Sequence, residues 1–243
     1  MRTLFPDEFD FYPKTWFLPE QTEQFQSDVR SIHEEDRRQL RSLTTFIVKP
    51  SDGSQGTGIY LIRDATRWNA TSRPHVVQEY IDPPLLINGL KFDIRIYVLL
   101  LNLDPLEVRI YHEGLARFAT VDYQAPSTTN LYETFMHLTN YSLNKRSISY
   151  KHATDETQMD ASKRKLTMVW SELCQRFSTK KVQIAKAEII DMINKTVLAI
   201  LPELRVQYAS ELPISRKQTQ CFQVLNTDSS RSEGRHCKLL ILN

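Results

Sequence analysis

Three of the six glycines in this 243-residue chain fall within six residues, in Lys49-Pro50-Ser51-Asp52-Gly53-Ser54-Gln55-Gly56-Thr57-Gly58-Ile59. The loop follows the β-branched run Thr44-Thr45-Phe46-Ile47-Val48. In a chain so poor in glycine, such clustering means backbone at positive φ or in close approach to a ligand, with Lys49 adding positive charge beside it. A nucleotide phosphate answers to that chemistry. The loop lacks the Gly-Lys-Ser/Thr of a Walker loop and the third glycine of a dinucleotide fingerprint, and no His-Arg-Asp kinase loop is present. A glycine-rich hairpin with a surface lysine at a strand end is the plainer alternative.

Four further segments carry chemistry. Gln78-Glu79-Tyr80-Ile81 precedes the break Asp82-Pro83-Pro84, where a strand end would leave backbone groups open to an adenine edge; an ordinary strand end explains it equally. In Gly89-Leu90-Lys91-Phe92-Asp93-Ile94-Arg95-Ile96-Tyr97, alternation puts Lys91, Asp93, Arg95 and Tyr97 on one face of a strand. Phe92, Ile94, Ile96 and Val98 take the other. Charges on a strand this apolar line a site, or else form a salt-bridge ladder. Gly114-Leu115-Ala116-Arg117-Phe118-Ala119-Thr120 offers Arg117 as a bidentate clamp for a carboxylate, and Met136-His137-Leu138-Thr139-Asn140-Tyr141-Ser142-Leu143-Asn144 is a dense hydrogen-bonding row. A lone histidine such as His137 is otherwise a structural one. No serine or cysteine stands in a nucleophile motif, which argues against covalent catalysis by the protein.

The elements that must position these groups follow from periodicity. Residues 20–41 carry Phe25, Val29 and Ile32 at helical spacing, and β-rich runs follow at 45–49, 58–62, 75–80, 92–101 and 106–112. Helical patterns return at 161–177 and 182–201, the second with Ile190, Ile193, Val197 and Ile200 or Leu201 along one face. Residues 226–236 are polar and aperiodic, and the chain closes on the apolar run Lys238-Leu239-Leu240-Ile241-Leu242-Asn243. The expected class is α/β, in the α+β sense of helix, sheet, then two helices.

Composition narrows the alternatives. With 25% charged and 41% hydrophobic residues the chain reads as a soluble globular protein, and its longest apolar stretch, 96–101, is far short of the roughly 20 residues of a membrane helix. The start is no signal peptide. Cys174, Cys221 and Cys237 are few and widely spaced, which fits a reducing, intracellular setting and no metal cluster. A formal charge of +2 gives no argument for nucleic acid, and Lys163-Arg164-Lys165 and Lys180-Lys181 read first as solvated faces.

Taken in order, the five segments resemble the tubulin tyrosine ligase-like family over about residues 11–225, and within it the polyglutamylases more than tubulin tyrosine ligase itself or the glycylases. The resemblance implies an ATP-grasp fold, here incomplete at both ends. It divides the chain into a helical remnant of the first lobe at 1–44, the ATP-grasp core at 45–225 and an atypical tail at 226–243. It also implies a reaction in which ATP with magnesium phosphorylates a glutamate side chain of the acidic tubulin tail, and the amine of free L-glutamate attacks the acyl phosphate. Lys49, Gln55, Gly56, Thr57, Gly58, Gln78, Glu79, Tyr80, Ile81, Lys91, Phe92, Asp93, Thr139 and Asn140 would hold ATP. Arg117, Tyr141, Ser142 and Lys163 would bind the incoming glutamate, and His137 and Arg95 would serve catalysis.

The family pattern breaks at both ends. Before the Phe11-Tyr12-Pro13-Lys14-Thr15-Trp16 segment the family carries a further region. After Cys221-Phe222-Gln223-Val224-Leu225 it continues Gly-Phe-Asp and then Leu-Glu-Val-Asn, where this chain has Asn226-Thr227-Asp228 and Leu240-Ile241-Leu242-Asn243. Asp228 and Asn243 fall at metal-ligand positions, and Ile241 stands where the bridging glutamate belongs. Isoleucine cannot ligate magnesium, so the expectation is weak magnesium-ATP binding and poor or absent ligation. The resemblance further implies a monomer that meets tubulin tails and microtubules, not nucleic acid or membrane. Its setting would be cytoplasm and cytoskeleton, with cilium, axoneme and basal body as candidate sites. The alternative is a non-catalytic adaptor that binds nucleotide or the tubulin tail.

Overall fold

A computed structural model describes residues 1–53, 56–65, 73–155, 158–211, 222–231 and 237–242. Gln55 and Asn243 lie outside the described residues. The chain divides into two units: Pro13–Phe92 with Phe118–Lys151, and Met1–Tyr12 with Asp93–Arg117 and His152–Asn243.

The first unit is built on the strand alternation of its opening segments. Strands β1 (Thr15–Leu18), β2 (Phe46–Pro50), β3 (Tyr60–Ile62) and β4 (His75–Glu79) form an antiparallel sheet in the order β1-β4-β2-β3. Helix α1 (Thr22–Arg38) presents Phe25 and Val29 to a core that includes Trp16, Leu18, Phe46, Val48 and Val77. The ring centroids of Trp16 and Phe25 lie 5.1 Å apart and those of Phe25 and Phe46 5.7 Å, both edge to face. Burying each such ring contributes roughly 1.5–3 kcal/mol. Asp36 at the end of α1 accepts from the Thr44 backbone N–H (2.8 Å) and hydroxyl (2.7 Å), which fixes how the chain enters β2. The four-residue β1 had no counterpart in the alternation of the sequence.

A two-residue turn, Asn88-Gly89, with both φ values positive (52° and 78°), joins β5 (Leu86–Ile87) to β6 (Leu90–Leu103). Asn-Gly is the usual pair for such a hairpin, and it sets the register Leu86 to Lys91. Two short helices, α2 (Thr134–His137) and α3 (Tyr141–Asn144), complete this unit.

The second unit contains β7 (Leu106–Phe118, to Arg117), β8 (Lys163–Lys165), β9 (Gln223–Arg231) and β10 (Cys237–Leu242), ordered with β6 as β10-β9-β6-β7-β8. Helices α4 (Leu166–Arg176) and α5 (Thr179–Glu211) follow β8. Three expectations shift here. The helix expected from residue 161 begins at Leu166, because Lys163–Lys165 pairs instead with β7, Arg117 opposite Lys163. The buried face of α5 runs through Val182, Ala185, Ile189, Met192, Ile193, Val197 and Leu201, with Ile190 turned outward. Residues 226–231, expected to be aperiodic, belong to β9 and pair antiparallel with β6, Arg95 opposite Asp228 and Ile96 opposite Thr227. Thr227, Asp228 and Ser229 are almost wholly buried, so a polar strand occupies the sheet where hydrophobic periodicity finds no signal. Among the described residues no helix is long and apolar enough to cross a membrane.

Gly114 sits where β7 passes closest to its neighbours. A Cβ there would lie 2.4 Å from the Arg95 carbonyl oxygen and 2.9 Å from Leu166 Cδ2. Backbone cannot yield as a flexible side chain can, so Gly114→Ala should cost about 1–3 kcal/mol of stability, read as a lowered urea midpoint, as for other overpacked sites.

Candidate functional site

Within the first unit the glycine loop folds back on the hydrogen-bonding row. Gly56 is buried at φ +90°, and a Cβ on it would lie 3.0 Å from Asn140 Cγ, so only glycine allows this approach. Gly58 also has positive φ (73°), and Thr57 is exposed. Beside the loop the half-buried Lys49 donates to Gln78 Oε1 (2.9 Å), and Gln78 Nε2 donates to Thr15 Oγ1 (2.9 Å). Thr139 is buried. Asn144, which the sequence offered no reason to single out, is fully buried. It accepts from the Thr120 hydroxyl (3.0 Å) and donates to the Leu138 carbonyl (2.7 Å), which holds the row in shape.

The strand end at 78–81 differs from expectation. The Glu79 N–H donates to the Lys14 carbonyl and the Tyr80 N–H to the Thr45 carbonyl, each at 2.9 Å, so those two donors are already used within the protein. Lys14, just before β1, and Thr45, just before β2, supply the acceptors that the sequence left open.

Next to them lies a buried cluster. Lys91 Nζ donates to Tyr80 Oη and to the His137 carbonyl, both at 2.8 Å, and stands 4.0 Å from the Tyr80 ring centroid. Tyr80 Oη lies 3.1 Å from His137 Nδ1, and His137 Nε2 lies 3.1 Å from the Asn130 carbonyl oxygen. Tyr123, missed in the sequence, donates to Asp82 Oδ1 and sets its ring 6.1 Å from that of His137. Burial, then the charge of Asp82, pushes the Tyr80 phenol far above its ordinary value. Burial and then Tyr80 and Asp82 do the same to Tyr123. Burial, reinforced by the Lys91 charge, pulls His137 down to about 4. Phe92 is buried and stacked on Phe118, 5.3 Å between centroids. Ile81 is buried, Tyr141 is exposed against Tyr150, and Ser142 is half-buried.

The second unit holds a chain of ion pairs across β6, β7 and β9. Arg117 Nε donates to Asp93 Oδ1 (2.9 Å) and its Nη2 to Asp93 Oδ2 and, at 2.8 Å, to Asp228 Oδ2. Arg95 grips Asp228 with both prongs, Nε to Oδ1 and Nη2 to Oδ2, each 2.7 Å. Asp93, Arg117 and Asp228 are buried and Arg95 is half-buried. Burial opposes the Arg117 charge, but Asp93 and Asp228 outweigh it and hold the guanidinium firmly protonated. Lys163 is exposed at the register position opposite Arg117, and Ile241 occupies the register position opposite Asp228. Glu113, another residue without a sequence signal, accepts from the Gly114 N–H (2.9 Å), the Thr167 N–H (3.1 Å) and the Thr167 hydroxyl (2.7 Å), satisfying the start of α4.

A mixed α/β scaffold of antiparallel sheets thus carries two polar centres, one of glycine backbone, lysine and tyrosine, the other of paired carboxylates and guanidiniums. The sequence matches the tubulin-tyrosine ligase family over residues 1–235, and the chain belongs to that family. It is 48% identical over 234 residues to tubulin polyglutamylase TTLL11 of Mus musculus, covering 94% of this chain and 31% of that protein. Against the Homo sapiens protein of the same name the identity is also 48%, over 94% of this chain and 32% of the relative. Tubulin polyglutamylase TTLL6 of Homo sapiens is 38% identical over 94% of this chain and 24% of its own length. The chain therefore spans about a third or less of the curated relatives it matches.

Two outcomes follow from these contacts. Asp228→Ala leaves two guanidiniums facing the one Asp93 carboxylate. It should cost about 3–5 kcal/mol in urea unfolding, part of which Arg95→Met on top of it restores. For His137, the unfolded chain takes up a proton near pH 6.5 that the folded protein takes up only at about 4. Its contribution to stability is therefore complete above about pH 6.5 and is lost as pH falls toward 4. Urea midpoints followed down that window should fall, and His137→Asn, with Lys91, Tyr80, Tyr123 and Asp82 intact around it, should flatten that fall.

Proposed function

We propose that this chain is the core of an ATP-dependent ligase, on an ATP-grasp scaffold, that adds glutamate to side-chain carboxylates of glutamates in acidic tubulin tails. The names of the relatives support the substrate class. The single observation that carries the nucleotide side is the approach of Gly56 to Asn140, which joins the glycine loop to the hydrogen-bonding row in one unit with Lys49, Gln78, Tyr80 and Lys91. A loop with two glycines at positive φ beside Lys49 suits a polyphosphate.

In this reading Lys49 and Lys91 offset phosphate charge, Gln55 and Gly56 to Gly58 cover the phosphates, and Gln78 to Ile81 frame the adenine. Phe92, Asp93, Thr139 and Asn140 complete the nucleotide contacts. ATP supplies the phosphoryl group that turns the acceptor carboxylate into an acyl phosphate, which the amine of free glutamate then displaces. The protein's work is positioning and charge stabilisation. Arg117 and Lys163 serve the carboxylates of the incoming glutamate, Tyr141 and Ser142 carry the same assignment, and Arg95 stabilises charge. The protein acts as a monomer in the cytoplasm and cytoskeleton, cilia included.

Of the two expected magnesium ligands Asn243 lies outside the described residues, and the contacts of Asp228 do not fit the role. Both Asp228 oxygens accept from guanidiniums, and among the described residues no three His, Cys, Asp or Glu side chains are placed to hold a metal ion. That commitment favours a second reading, a non-catalytic adaptor for nucleotide or the tubulin tail.

Microtubules incubated with the chain, ATP, magnesium and labelled glutamate separate the two. Tail labelling that Arg117→Ala lowers by about 100-fold or more supports the ligase, a loss of the size seen when a charge-stabilising donor is removed. Because Arg117→Ala strands two buried carboxylates, Arg117→Lys, which keeps the charge without the fork, should fold and still ligate poorly. Tail binding without labelling supports the adaptor.

A further inference from the structure

His137 was expected to take part in catalysis, and its surroundings assign it different work. Lys91 Nζ has only hydrogens to give, so Tyr80 Oη accepts from it at 2.8 Å. The Asn130 carbonyl oxygen can only accept, so His137 Nε2, 3.1 Å from it, carries the ring proton. In the neutral ring Nδ1 then holds a lone pair, and the Tyr80 hydroxyl 3.1 Å away, with the His137 carbonyl more distant at 3.4 Å, donates to it. Both ring nitrogens are engaged inside the protein, and the residue is 1% exposed. Protonating Nδ1 would set a second donor against the phenol and a second cation beside Lys91. The residue also offers its own carbonyl to Lys91 at 2.8 Å, so the ammonium is held from two sides of one residue.

We propose that His137 is a positioning residue: as a neutral imidazole protonated on Nε2 it orients Tyr80, and through Tyr80 and its own carbonyl it fixes the Lys91 ammonium, without carrying a proton in any reaction. The proposal rests on the nucleotide reading only for what Lys91 then meets; the fixing of Lys91 stands apart from it. Catalysis by His137 would need a nitrogen facing substrate, whereas a positioning role needs the two nitrogens as they are found.

The test uses the whole chain and three variants. Asparagine places its oxygen near the Nδ1 position and keeps the acceptor for Tyr80. Glutamine reaches the Nε2 position and keeps the partner for Asn130, while leucine keeps neither. Nitrogen-15 spectra of the wild type should show His137 neutral and protonated on Nε2 from about pH 5.5 to 8. The Lys91 ammonium should give a slowly exchanging signal that survives in His137→Asn and is lost in His137→Gln and His137→Leu. Urea midpoints show that each variant is folded. Binding of a fluorescent ATP analogue should weaken by no more than about threefold in His137→Asn and by about tenfold or more in His137→Leu. An imidazolium or an Nδ1–H tautomer near neutral pH, or a Lys91 signal unchanged in His137→Leu, overturns the proposal. A wild type with the expected Lys91 and His137 signals but no ATP binding overturns the nucleotide reading and leaves His137 as the residue that holds Lys91.

Discussion

The second unit depends on an alternation of charge, Asp93, Arg117, Asp228 and Arg95, laid across three strands. None of the three most buried members could be accommodated alone, because an unpaired ion in that setting costs several kcal/mol. Together they are neutral, and the planar guanidiniums match the carboxylates prong for prong. The network sets the register of β9 on β6 by pairing Arg95 with Asp228, and it lets a strand as polar as Asn226-Thr227-Asp228-Ser229 lie within the sheet.

The same network limits what its members can do. A carboxylate accepting from two arginines is a poor metal ligand until one of them lets go, and an arginine clamping two carboxylates must exchange one of them for a substrate. Any ligand that engages Arg117 or Asp228 competes with contacts of 2.7–2.9 Å already made. In the first unit the cation is treated differently. Lys91 donates to a phenol and to a carbonyl, and these two contacts orient its charge without neutralising it.

The parts legible in the sequence were those with a period or a forced backbone. The glycine loop, helix α1 and the long strand β6 follow from local preference, and the alternation of Lys91, Asp93 and Arg95 against Phe92, Ile94 and Ile96 was correct for the buried apolar face. β9 was not legible, since its burial depends on a partner charge 133 positions earlier in the chain. The start of α4 at Leu166 was hidden because β8 borrows its order from β7, and Asn144, Tyr123 and Glu113 are polar residues whose partners are remote or main-chain.

Sequence by itself determined the family, because five short motifs in order are a joint constraint that few chains satisfy, and it located the groups able to meet phosphate and carboxylate. Tertiary structure decided what those groups are doing. It placed Asp228 in an ion-pair chain with Arg95 and Arg117, put Ile241 at the register position opposite it, and enclosed His137 between Tyr80 and Asn130. The physical reason is the range of the interactions: backbone preference acts within a few residues, whereas the partner that fixes a charge or a tautomer is chosen by folding.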